Sequence, residues 1–249
     1  MTVSQLPTAA RHSQKDEHWI PLSDLMTGLM MIFMLVAIAF MIQVEAQAQK
    51  VKNVAILYDE MRNQLYHDLE KEFEADLPEW EATLSRDLSI RFEEPEVLFQ
   101  TGESIVTAKF QTILKEFFPR YVKILASDKY RESIEEVRIE GHTSSVWAAW
   151  STDDDAYFRN MKLSQDRTRS TLEWVLLFPD PNIERAKTWL RSRLTANGLS
   201  SSRIITNSDG TENRAASQRV EFRVRTNAEE KIGQILQPIQ QRNYQTFLI

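Results

Sequence analysis

The twenty residues Leu25–Val44, LMTGLMMIFMLVAIAFMIQV, carry no charge. At about 1.5 Å of rise per residue, a helix of that length spans the ~30 Å hydrocarbon core of a bilayer. The run exceeds the ~7 to 15 apolar residues of a signal-peptide core, and AQAQ at 46–49 resembles a small-residue cleavage site only loosely. One retained transmembrane helix over residues 19–44 is therefore expected.

Composition removes several alternatives. Thirty Lys and Arg against 36 Asp and Glu leave a net charge of -6, so bulk charge gives no nucleic-acid binder. The six glycines stand alone along the chain, and no glycine-rich loop is available to cradle a phosphate. With no cysteine and four scattered histidines, a thiol nucleophile, a disulfide scaffold and a zinc cluster are excluded. No cofactor is expected.

Residues 1–18 form a short polar tail in which Arg11 and Lys15 are offset by Asp16 and Glu17, so loop charge does not orient the helix. After the span, Val54, Leu57, Met61, Leu65, Leu69 and Phe73 recur every three or four residues, the stripe of an amphipathic helix. Residues 45–83 are expected as a helical stalk. From residue 84 the pattern changes: strands are predicted at 88–99, 135–141, 203–210 and 219–226. Helices are predicted at 106–125, with Pro119 kinking or dividing it, at 163–178, and at 184–198 with Gly198 as its stop. The order β-α-β-α-α-β-β over residues 84–226 is an α+β domain with helices on one sheet face. Residues 227–249 are left as a C-terminal tail.

Asp24 opens the apolar run and is the only acid between Glu17 and Glu45. A charge costs roughly 2.5 to 3.5 kcal/mol at mid-helix on insertion scales, less near the interface, so it requires a reason. With Pro21 just inside the helix start, Asp24 could simply complement the positive end of the helix dipole. The five methionines of the span read as adaptable packing.

The string HWIPLSDLMTGLMMIFMLVAIAFMIQ resembles the transmembrane segment of MotB-type stator proteins, in which such an aspartate carries the ion. Four further motifs, in order, resemble the OmpA-like peptidoglycan-binding domain: VLFQTGES at 97–104, IEGHTSS at 139–145, Asn160, Leu163, Ser164 and Arg167 in NMKLSQDR, and SQRVEFRV at 217–224. The family usually has Asp where this chain has Ser144, and the segment from Ser144 to Arg167 is longer than its norm. WAAW at 147–150 and Asp153–Asp155 lie within that segment.

The resemblance implies an inner-membrane stator subunit that is not an enzyme, with Asp24 passing H⁺ or Na⁺. Two copies would sit inside a ring of a MotA-like partner, ZorA in the Zorya anti-phage branch that the short N-terminus and PLSD string favour. The N-terminus would be cytoplasmic and the domain periplasmic, with Thr143, Ser144, Asn160, Leu163 and Arg167 holding peptidoglycan. Cytoplasmic defence effectors would be linked indirectly, and nucleic acid would not be bound directly. His142 reads as loop packing, because no nucleophile or second base accompanies it. A flagellar motility stator and a passive membrane-to-wall tether are the alternative readings.

Overall fold

Leu, Met, Ala, Gln, Glu and Lys, all strong helix formers, dominate the segment that folds as helix α1 (Trp19–Phe73). The computed structural model describes residues 19–93 and 95–227. The expected N-terminal tail 1–18 and residues 228–249 of the C-terminal tail lie outside them. The chain divides into two units, Met1–Asn53 and Val54–Ile249, and α1 contributes to both.

In the first unit every side chain from Leu22 to Val44 is exposed. One helix of the described residues is long and apolar enough to cross a membrane, and this segment makes it so. In the second unit the α1 stripe turns inward. Leu65, Leu69 and Phe73 are fully buried and share one hydrophobic cluster with Trp80, Ile90, Phe92, Phe117 and Phe222. Burying such side chains contributes about 1.5–3 kcal/mol each. Arg120 lies 4.9 Å over the Phe73 ring while bonding Glu72 and Asp76, each at 2.7 Å. Asp68 accepts from Lys129 at 2.8 Å and from Tyr130 at 2.6 Å. The stalk's end is thus part of the core, and the boundary expected at residue 84 falls inside the second unit.

Strands β1 (Ala82–Leu84) and β2 (Ser89–Phe92) are followed by a helical turn, α2 (Pro95–Leu98). The long strand expected over 88–99 is therefore cut short, as a proline without an N–H donor cannot continue a ladder. Helix α3 (Ala108–Leu125) starts at Thr107, whose hydroxyl accepts from the Phe110 N–H at 3.2 Å. It runs unbroken through Pro119, its apolar face (Phe110, Leu114, Phe117, Tyr121) lying in the core. Strand β3 (Ile134–His142) leads to α4 (Asp153–Leu177), which begins ten residues earlier than the helix expected at 163. Thr152 caps it, and Asp153–Asp155 form its first turn, where negative charge complements the helix dipole.

Helix α5 (Pro181–Arg193) passes directly into β4 (Leu194–Gly198). The helix expected to end at Gly198 is thus wrong in its last turn, and the glycine has another purpose. Gly141 and Gly198 face each other in the parallel β3–β4 register. A Cβ on Gly141 would lie 2.6 Å from Thr168 Cγ2, and one on Gly198 would collide with the Gln165 backbone. Two adjacent glycines therefore let α4 lie against the sheet. The strand expected at 203–210 is a tight turn instead, with the single bridge Thr206–Glu212. The short helix α6 (Arg214–Ser217) precedes β5 (Arg219–Thr226). The sheet order is β1-β2-β5-β3-β4, with only β3–β4 parallel. Ile90, Phe92, Val137, Ile139, Val220 and Phe222 supply the apolar alternation of an α+β sheet, whose other alternation is charged.

Candidate functional site

Two places hold the residues singled out by sequence. Asp24, in the first unit, is exposed on α1 and is the only charged residue between Leu22 and Val44. Beside it the Thr27 hydroxyl donates to the Ser23 carbonyl at 2.8 Å, satisfying itself within the helix.

In the second unit the end of β3, the following turn and the first half of α4 bring Thr143, Ser144 and Asn160 together, and Arg167 stands about two turns further along α4 against the loop 100–103. Asn160 is buried, and its Nδ2 donates to the carbonyls of Ser144 at 3.0 Å and Val146 at 3.4 Å, fixing the turn. The Thr143 N–H donates to Ser200 O at 3.0 Å, while its buried hydroxyl has no partner. Ser164 Oγ accepts from the Ser200 N–H at 3.1 Å, and Leu163 beside it is half-buried. Arg167 is buried against the Phe99 ring at 4.8 Å. Its Nε donates to Glu103 O at 2.8 Å and its Nη2 to Gln100 O at 3.2 Å. Burial lowers its pKa to about 10, so it stays charged at neutral pH. Two of its five N–H groups thus hold the loop 100–103, which turns at Gly102 with φ +76°.

Sequence reasoning did not find the charged face of the sheet. Glu140 and Glu221 lie opposite each other on β3 and β5, and both are fully buried. Glu221 accepts from Arg219 at 2.7 Å, Arg91 at 3.0 Å and Arg223 at 3.1 Å, while Arg203 lies 3.4 Å from Glu140. Burial pushes the Glu221 pKa up, but the hydrogen bond from Arg219 and the Arg219 and Arg91 charges outweigh it and hold it at about 2. His142 Nε2 is 3.8 Å from each carboxylate, and neither ring nitrogen makes a hydrogen bond. Burial, reinforced by the Arg219 charge, lowers its pKa to about 3 and keeps the ring neutral. Glu140, His142 and Glu221 offer ligand atoms within 4.8 Å of one another. The arginines already neutralise both carboxylates, so the cluster serves as a buried ion-pair network better than as a cation site. Its signal in the sequence is the charged alternation of EVRIEGH and RVEFRVR, which by itself also fits a solvated face.

No family model matches the chain. It is 45% identical over 234 residues to the Zorya protein ZorB of Escherichia coli (strain ATCC 8739), covering 94% of this chain and 97% of that one. Among solved structures it is similar to the cell wall anchor of the T6SS from Pseudomonas aeruginosa, at 21% identity and a TM-score of 0.42, over 64% of this chain and 96% of that chain. It is also similar to a periplasmic domain of Helicobacter pylori MotB, at 18% identity and a TM-score of 0.37, over 59% and 83%.

Proposed function

The chain belongs to the ZorB family of Zorya proteins, and from that premise we propose that it is the single-pass, peptidoglycan-anchored subunit of an ion-driven stator in anti-phage defence. The observation that carries this reading is Asp24, one carboxylate on a helix whose side chains are all exposed from Leu22 to Val44. Those side chains require lipid or a membrane partner, and a carboxylate among them is costly unless it works. Binding and releasing H⁺ or Na⁺ changes its charge, and the two forms favour different packing against a partner helix. That difference couples ion passage to movement.

In this proposal two copies stand within a ring of a MotA-like, ZorA-type partner in the bacterial inner membrane, and no resident cofactor is needed. The N-terminus is cytoplasmic and the second unit periplasmic, where it holds peptidoglycan. Movement of the complex signals to cytoplasmic effectors of the same system. On the wall side, Asn160 shapes the 142–146 turn and Leu163 is half-buried one turn further along α4. Thr143 and Ser144 present hydroxyls. Arg167, with the N–H groups that Gln100 and Glu103 leave, meets a stem-peptide carboxylate.

The test is phage plating with the intact operon. Asp24→Asn keeps the shape without a titrating carboxylate and should lose protection at normal expression, whereas Asp24→Glu should retain part of it. Full protection by Asp24→Asn would leave the residue as a helix-end acid and the chain as a passive tether.

A further inference from the structure

Glu212 differs from the arginine-paired carboxylates around the 142–146 turn. Glu140 and Glu221 are enclosed by guanidiniums, and Asp155 stands 3.4 Å from Arg159 in the first turn of α4. Among the described residues no Lys, Arg or His forms an ion pair with Glu212, although the turn that carries it is held firmly. Asn213 N donates to Ile205 O at 2.7 Å, Asn207 N to Thr211 O at 2.8 Å, and Gly210 N to Asn207 O at 3.0 Å. Ser217 Oγ accepts from the Ile205 N–H at 2.9 Å, tying the turn to α6.

The Glu212 carboxylate is fixed at its far end as well. Its Oε1 accepts from the Ser145 N–H at 2.9 Å and its Oε2 from the Ser145 hydroxyl at 2.6 Å. A carboxylate has about four acceptor positions, so two remain, and its charge is uncompensated. Two residues before Ser145 in the chain, the buried Thr143 hydroxyl has no partner. We infer that Glu212 is the cation-binding group of this face and takes an ammonium of the wall peptide, an inference that rests on the peptidoglycan reading above. A divalent metal is a poorer fit, since Ca²⁺ takes six to eight oxygen ligands and zinc takes four. An ammonium needs three acceptors, which one carboxylate and neighbouring hydroxyl oxygens can supply.

The experiment uses the full-length chain in detergent. Sedimentation is measured with sacculi that carry free diaminopimelate ammonium groups and with the same sacculi after acetylation of those amines. Wild-type affinity should fall about tenfold on acetylation, the size of one charge-assisted hydrogen bond. Glu212→Gln should bind native sacculi about tenfold less well and be indifferent to acetylation. Ser145→Ala, which removes one clip and keeps the charge, should stay sensitive to acetylation. Wild-type binding that ignores acetylation, or Glu212→Gln binding that still responds to it, overturns the role of Glu212 and leaves wall binding standing. Wild-type protein that binds neither preparation overturns both.

Discussion

The two units answer the same problem, an apolar helical surface, in opposite ways. From Leu25 to Val44 the helix is apolar on all sides and wholly exposed. Between Val54 and Phe73 the apolar residues fall on one stripe, and Leu65, Leu69 and Phe73 of that stripe are fully buried by the chain's own sheet and α3. A stripe can be satisfied by one neighbour, whereas all-round apolarity requires an apolar solvent or several partner helices. The chain therefore carries one unit that completes its own core and one whose partner must come from outside.

The largest effect that could break this contrast comes from truncation. A fragment 84–226 lacks Leu65, Leu69, Phe73, Trp80 and Ala82 of the core, and it should show no cooperative urea transition. A fragment 54–227 should unfold cooperatively. A sharp transition in the shorter fragment would show that the stalk is dispensable to the fold.

Single substitutions sharpen the comparison. Phe73 packs 5.3 Å from Phe117 and 5.9 Å from Trp80, centroid to centroid, so Phe73→Ala should cost about 3–5 kcal/mol in denaturant unfolding. Leu35→Ala, 67% exposed in the first unit, should leave that transition unchanged to within about 0.5 kcal/mol. Equal losses would mean that both stretches are packed alike.

Acidification has a smaller effect per pH unit on the stability of the second unit. An unfolded His142 takes up its proton near the ordinary histidine value of about 6.5, whereas the buried ring resists until about pH 3. The unfolded state thus binds more protons in that window, and stability falls as pH drops from 6.5 towards 3. The slope contributed by this group is about 1.4 kcal/mol per pH unit. Glu221, held at about 2, adds its own loss below the ordinary carboxylate range of about 4.3. His142→Gln should flatten the limb between pH 6.5 and 4.5 in thermal melts and leave the more acidic limb in place.

Elements with a strong period were legible in the sequence: the apolar run, the stalk stripe, α3, and the alternating strands β3 and β5. What escaped was set by tertiary contact. Gly198 reads as a helix stop because its neighbours are good helix formers, but it belongs to a strand on which α4 leaves no room for a Cβ. The acidic run Asp153–Asp155 has no apolar period of its own, and it is the Thr152 cap that makes it a helix start. That the stalk's end joins the core was not legible either, because a stripe does not say which surface it will meet. At the candidate site, Asn160 and Arg167 were found by motif, yet their bonds to the carbonyls of Ser144, Val146, Gln100 and Glu103 carry no sequence signal. Glu212 was missed because it lies 67 residues from Ser145 along the chain.

In the proposed function this chain joins a membrane to peptidoglycan through units with separate partners. Full-length protein in liposomes with labelled lipid, mixed with purified sacculi and sedimented at low speed, tests it directly. Lipid should pellet with the sacculi only when the full-length chain is present, and a fragment 54–249 should pellet with sacculi while bringing no lipid. Lipid left in the supernatant by the full-length chain, with the protein inserted in the liposomes, would contradict the account.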